Sequence, residues 1–178
     1  MTGKEFMNKI ARAKDDFLQG FLQGFLDRLA EGKVSFCIIG GLGVNAYVEP
    51  VVSLDLDIVI ALDRMDDILP KLKAAYHVEI FPNSINLSEK SSDLRIQIQR
   101  DIRYQPFVQR AIVKNVLGYS MPVATIEDIL QGEIWAATDK EQRQSKRQKD
   151  LADILRLVEA KPDLSGRLPV ALRKQLSL

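Results

Sequence analysis

The sequence predicts an α+β domain with α/β-like stretches: a small mixed β-sheet with flanking helices, followed by a C-terminal helical subdomain. Three observations predict it. The chain opens on a run whose apolar residues recur at three- and four-residue spacing. Its middle alternates short Ile-, Val- and Leu-rich runs with helix-length segments, the order of mixed strands and helices. From Thr125 onward the pattern is helical only. The boundaries that follow are 1–32 for an N-terminal helix, 33–123 for the α/β core and 124–178 for the helical subdomain. With 178 residues, 46% hydrophobic and 28% charged, the chain has the size and apolar content of one compact domain.

The elements follow in order. Ile10, Phe17, Phe21, Phe25 and Leu29 define the apolar stripe of a helix from about Glu5 to Glu31, closed by Gly32. Gly20 and Gly24 share one face of it. They either let another helix approach closely or are weak points of a core helix, each costing about 1 kcal/mol relative to Ala. Val34–Ile39 is the first strand, Gly41–Tyr47 a short helix and Asp55–Ala61 a second, central strand. Asp63 reads as the N-cap of a helix to Ala75 that Pro70 kinks or breaks. His77–Phe81 is a third strand, and the polar stretch Pro82–Asp93 reads as a mobile loop. Leu94–Gln99 alternates cleanly, with Leu94, Ile96 and Ile98 on one face and Asp93, Arg95, Gln97 and Gln99 on the other. A helix follows from about Gln105, and Val116–Val123 is a short edge strand interrupted by Gly118 and Pro122. Thr125 caps the next helix with Asp128 at its third position, a second helix spans about Glu141–Ala160, and a short helix or irregular tail ends the chain.

Composition narrows function. The formal net charge is +1, so the chain carries no global electrostatic signature of nucleic-acid binding. The single cysteine, Cys37, lies in an apolar run and reads as a buried free thiol in a reducing compartment. One histidine, His77, argues against a His-rich zinc site. The charged stretch from Met1 to Asp16 has no signal-peptide core, and no run reaches the roughly 20 apolar residues of a membrane span. The expectation is a cytoplasmic protein without a membrane partner.

The chemistry concentrates in two places. Cys37-Ile38-Ile39 ends in Gly40-Gly41, a turn that permits close backbone approach to a phosphate and equally serves as a plain tight turn. It matches neither the Gly-x-Gly-x-x-Gly nor the Gly-Lys-Ser/Thr phosphate signature. Asp55 and Asp57 lie two apart on a strand, so both carboxylates point to one side. Two adjacent carboxylates beside an apolar strand need a cation, or a wet strand end opening into a cleft. A divalent metal carrying a polyphosphate suits them. Arg143, Lys146, Arg147 and Lys149 then place positive charge on one helix, either as a solvated face or as a counterpart to phosphate.

Taken together, these segments resemble the minimal nucleotidyltransferase superfamily, with its DNA polymerase β-like fold. The resemblance runs over roughly Val34–Leu164 through IGGLGVNAYVEPVVSLDLDIVIA, RIQIQRDIRYQPFVQRA, VATIEDIL and SKRQKDLADILRLVEAKPDL. Within the superfamily the chain is similar to stand-alone bacterial proteins related to the AbiE abortive-infection toxins. The resemblance implies a nucleotidyltransferase-like fold and transfer of a nucleoside monophosphate from a nucleoside triphosphate to a protein, RNA or small-molecule acceptor. It implies that Asp55 and Asp57 bind Mg²⁺, as one ion or two. It places Gly40, Gly41 and Ser53 at the phosphates and assigns nucleotide binding to Arg143, Lys146, Arg147 and Lys149. A third catalytic carboxylate is expected on the strand Asp93–Gln99, where Asp93 is the only acid in register with the polar face. Arg95 or Gln97 stands along that face instead, Val51 and Val52 replace an expected arginine, and Glu133 replaces an expected lysine. The alternative is therefore a catalytically degenerate nucleotide- or partner-binding relative, such as a toxin–antitoxin component. Its Phe17/Phe21/Phe25 row would dock an antitoxin or a second copy.

Overall fold

The computed structural model describes residues 20–178. The expected first helix lies outside the described residues up to residue 19; its remainder, α1, spans 20–31. Seven strands form one mixed sheet: β1 (Phe36–Ile39), β2 (Asp55–Ile60), β3 (His77–Ile80), β4 (Ser84–Ser88), β5 (Arg95–Gln99), β6 (Ile112–Val116) and β7 (Tyr119–Val123), in the order β3-β4-β5-β2-β1-β7-β6. β2 runs antiparallel to β1 and parallel to β5, and β1 runs parallel to β7. Ile58, Val59 and Ile60 are all buried, as expected for a central strand covered on both faces. The further α-helices among the described residues are α2 (Gly40–Asn45), α3 (Met65–Ala75), α4 (Gln105–Arg110), α5 (Ile126–Thr138), α6 (Gln144–Ala160) and α7 (Val170–Leu176).

Five expectations are corrected. Pro82–Asp93 is not a loop: it contains β4, whose Ile85 and Leu87 are buried while Ser84, Asn86 and Ser88 alternate with them. Polar residues on one face disguised a strand paired on both sides, with β3 and β5. Val116–Val123 is not one edge strand. Leu117 (φ 54°) and Gly118 (φ 85°) form the two-residue turn of a β6–β7 hairpin. Pro70 does not break α3: the helix runs through it, and Pro70, at its middle, is exposed, as is Asp66, whose carbonyl it leaves without an amide partner. Asp63 lies in a 3₁₀ turn, Leu62–Arg64, ahead of that helix rather than at its N-cap. Finally, α6 begins at Gln144 rather than at about Glu141, which leaves Arg143 at the N-cap position instead of within the helix.

The core is one continuous cluster. Phe21, Phe25 and Leu29 of α1, Ile38 of β1, Ile96 and Ile98 of β5, Leu130 of α5, Ile154 and Leu157 of α6 and Leu172 of α7 all belong to it. Phe21 meets the Tyr76 ring edge-on at 5.0 Å. Phe21 and Phe25 are thus consumed inside the fold, so the row expected to dock a partner does not present them; Phe17 lies outside the described residues. Cys37 is the expected buried thiol, its pKa pushed up to about 12 first by burial and then by Asp128. Thr125 caps α5 as expected, its hydroxyl accepting from the Asp128 amide at 3.2 Å. Among the described residues no helix is long and apolar enough to cross a membrane.

Candidate functional site

The site forms where β1 ends. The β1–β2 register sets Ile39 against Asp57, so the chain turns at Gly40 directly over that carboxylate. Gly40 adopts φ +63°, and a Cβ there would collide with the Asp57 carboxylate. At Gly41 the space a side chain would fill is taken by Lys149, whose Nζ would lie 3.2 Å from an added Cβ. The Gly-Gly turn therefore brings a strand acid and a helix lysine together; the approach to Asp57 requires glycine at position 40, while at position 41 an added Cβ would press on the flexible end of Lys149.

Asp55 and Asp57 point to the same face, as their spacing predicts, but their surroundings differ. Asp55 is partly exposed and pairs with Arg95, Nε to Oδ1 2.9 Å. Asp57 lies deeper. Its pKa is raised to about 6 chiefly by burial; Lys146 and Lys149 pull it down, while Asp55 and Asp150 push it up. Two clefts meet there. The outer one, about 300 Å³, is lined by both acids, by Glu79 of β3 and by Arg95, Gln97, Arg143, Lys146 and Lys149. The inner one, about 70 Å³, joins Asp57 and the Gly-Gly turn to Gln99, Tyr104, Glu133, Asp150 and Asp153.

The inner acids are buried. Glu133 is held well above the usual carboxylate range, first by burial and then by Asp150, Asp153 and Asp57; Lys149 opposes them. Asp150 is raised by burial against the hydrogen bond from Gln142 Nε2 (2.8 Å) and the two lysines. Asp153 pairs with Arg156 at 2.7 Å. Arg156 also donates to Asn45 Oδ1 (2.8 Å) and to the Glu49 carbonyl (2.6 Å), tying α6 to the loop between α2 and β2.

Of the sequence-predicted residues, Gly40, Gly41, Asp55, Asp57, Arg143, Lys146 and Lys149 line these two clefts. Arg147 does not. Its guanidinium donates to the Asp139 carbonyl at 2.6 Å and holds the α5–α6 loop. Ser53 lies within 3.4 Å of the Asp55 amide but lines a different, apolar pocket. Asp93 is exposed, precedes β5 and is absent from the lining of both clefts; the residue in register with Asp57 is Gln97. Sequence reasoning missed Asp150 and Asp153 as cleft residues. They stand four residues after Lys146 and Lys149 and so share a helix face with them, and Asp153 pairs with Arg156.

Among the described residues no three His, Cys, Asp or Glu side chains converge into a metal cage. Two strand carboxylates facing a cation-lined cleft instead provide hard oxygen ligands for Mg²⁺, which takes one or two carboxylates and completes its shell with phosphate and water. The residues fit that ion in this role.

Comparison with known proteins bears on the fold. No protein-family model matches the chain, and no curated protein matches it. Solved structures do. The complex of ANT(2'')-Ia with adenylyl-2''-tobramycin aligns with a TM-score of 0.61 at 14% identity, over 88% of this chain and 97% of that one. An antigenic nucleotidyltransferase-like protein from Paracoccidioides brasiliensis aligns with a TM-score of 0.56 at 17% identity, over 91% and 86%. The lincomycin-bound lincosamide antibiotic adenylyltransferase LnuA aligns with a TM-score of 0.52 at 16% identity, over 76% and 95%. The chain has the mixed sheet and flanking helices of these nucleotidyltransferase-like structures.

Proposed function

We propose that the protein is a Mg²⁺-dependent nucleotidyltransferase that moves a nucleoside monophosphate from a nucleoside triphosphate onto an acceptor. One observation carries the reading: Asp55 and Asp57 open into a cleft whose other walls bear Arg143, Lys146 and Lys149. Strand carboxylates close to the cations of α6 and its N-cap suit a metal-bound triphosphate. Asp55 and Asp57 would hold Mg²⁺, which when bound neutralises and orients the triphosphate. Lys146, Lys149 and Arg143 receive phosphate oxygens, and the Gly40–Gly41 turn lets them approach the backbone. In the reaction the acceptor oxygen bonds to the α-phosphorus, the bond to pyrophosphate breaks, and the hydroxyl proton passes to water. Calorimetric titration of ATP, CTP, GTP and UTP with Mg²⁺ tests this. At least one binds, and binding is lost in Asp55→Asn/Asp57→Asn; unchanged binding in that variant would sink the reading.

The register across β2 and β5 favours a second reading, a nucleotide-binding relative without transfer. Gln97 lies opposite Asp57, and Arg95 engages Asp55, where a third carboxylate would otherwise complete the site. Nucleotide binding without pyrophosphate release across a broad acceptor screen supports it. Transfer that disappears in Asp93→Asn eliminates it. Within either reading, a relation to AbiE-type toxins predicts an antitoxin partner, and a strictly monomeric, partner-free protein in solution counts against it.

A further inference from the structure

Beside the acid clefts lies a separate cavity of about 510 Å³, within the range of small-molecule sites. One wall is α2, through Leu42 and Ala46. The lip is Pro50, Val51 and Val52, and the far side is the β6–β7 turn at Val116 and Leu117. It adjoins the proposed nucleotide site on two strands of the chain: Leu42 follows Gly41, and Ser53 stands two residues before Asp55.

The lining decides the occupant. No charged side chain lines this cavity, whereas both acid clefts carry charges of each sign. Each of its three polar side chains makes a hydrogen bond within the protein. Asn45 donates to the Val51 carbonyl at 2.7 Å and accepts from the Val51 amide and Arg156. Asn115 accepts from the Gly118 amide at 3.2 Å. The Ser53 hydroxyl sits against the Asp55 backbone at 3.4 Å. A nucleobase would seek free hydrogen-bonding groups or an aromatic face, and the lining includes no aromatic residue. A polycation or an RNA backbone would seek charge. The lip is also built rather than loose, since Asn45 and Arg156 pin it from two sides. Yet Val51 and Val52 keep 50% and 97% of their surface exposed, an apolar rim with nothing on it.

We infer that this cavity is the acceptor subsite, and that the acceptor is a neutral, predominantly apolar small molecule bearing a hydroxyl group. The inference rests on the nucleotidyltransferase reading. The acceptor's apolar body fills the cavity and its hydroxyl reaches toward Asp55. There its oxygen bonds to the α-phosphorus of the nucleoside triphosphate, pyrophosphate leaves, and the hydroxyl proton passes to water.

The test uses the full chain and the neutral apolar fluorophore N-phenyl-1-naphthylamine, together with a panel of neutral aryl-alkyl alcohols. Saturable one-to-one binding is expected, weakened at least ten-fold in Val51→Asp and Val52→Asp, while MgATP affinity stays within two-fold. Both substitutions lie at exposed positions, and circular dichroism checks that the variants fold. Absent or non-saturable binding, or binding indifferent to both substitutions, overturns the inference. Probe binding that falls as protein concentration rises also overturns it, by assigning the cavity to a second copy of the chain. For the acceptor role, at least one bound alcohol releases pyrophosphate from a nucleoside triphosphate in the presence of Mg²⁺. No release from any bound alcohol, or release only with aminoglycosides or RNA and insensitive to Val52→Asp, overturns it. Failure of every nucleoside triphosphate to bind while the probe still binds overturns the nucleotidyltransferase reading and leaves the cavity result standing.

Discussion

The outer and inner clefts share Asp57, Lys146 and Lys149 but are built for opposite purposes. In the outer cleft the strand carboxylates Asp55, Asp57 and Glu79 share about 300 Å³ with Arg95, Arg143, Lys146 and Lys149, space for a polyphosphate. In the inner one the same lysines meet Glu133, Asp150 and Asp153 in about 70 Å³, with no room for a ligand of that size. The lesson is that the two clefts draw on the same positive charge: Lys149 opposes the rise of Glu133, and Lys146 and Lys149 oppose that of Asp150, while both lysines also line the outer cleft.

The sharpest way to break this division is to remove an outer acid. Asp57→Asn should lower the rate of nucleotidyl transfer about 10³-fold, equivalent to roughly 4 kcal/mol of transition-state stabilisation. Pyrophosphate release under saturating nucleotide measures it. Glu133→Gln, an inner change, should leave transfer within about ten-fold. Equal losses in the two variants would erase the distinction between the clefts.

Next in size is Gly40→Ala. The backbone there is left-handed and the new Cβ would strike Asp57, so unfolding free energy should fall by about 2–4 kcal/mol. Urea denaturation gives the value. A variant as stable as the parent would mean that Asp57 can swing away, and that the close approach is not what fixes the acid.

The unequal legibility of the two clefts has a physical cause. Asp55, Asp57, Gly40 and Gly41 were readable because a strand's two-residue period and a glycine pair act locally. The alternation of Leu94, Ile96 and Ile98 likewise gave β5 its buried face. What failed depended on partners distant in sequence. β4 looked like a loop because Ser84, Asn86 and Ser88 outnumber the buried Ile85 and Leu87 they alternate with, and pairing on both sides supplied what local composition did not. Arg147 looked equivalent to Lys146 and Lys149, yet helix phase turns it toward the Asp139 carbonyl. Glu133 stood out in sequence only as a departure, and its burial among three other acids became visible once α5 and α6 were packed together.

A smaller effect tests burial at the shared acid. Asp57 titrates near 3.8 in the unfolded chain and near 6 in the fold. Between those values the folded state keeps a proton that the unfolded state has lost, so this group makes the protein less stable as pH rises through that window. The total is at most about 3 kcal/mol. Asp57→Asn cannot ionise and escapes the penalty. Without metal it should therefore be more stable than the parent at about pH 8, with the difference vanishing below about pH 4. Urea melts at both values decide it, and a constant difference across pH would remove burial as the cause. Glu133→Gln should move in the same direction, since burial raises that group too.

The smallest effect separates two neighbours on α6. Lys149 lies over Gly41 and lines both clefts, so Lys149→Met should weaken nucleoside triphosphate binding about ten-fold, or 1.4 kcal/mol. Arg147 is spent on the Asp139 carbonyl, so Arg147→Met should leave binding within about two-fold and lower stability by about 1 kcal/mol as the α5–α6 loop loosens. Calorimetry and urea melts on the two variants give a crossed pattern: one loses affinity, the other stability. The reverse pattern would place the phosphates nearer the α5–α6 loop than the Gly-Gly turn. In that case the outer cleft, despite holding both carboxylates, would not be where the triphosphate lies.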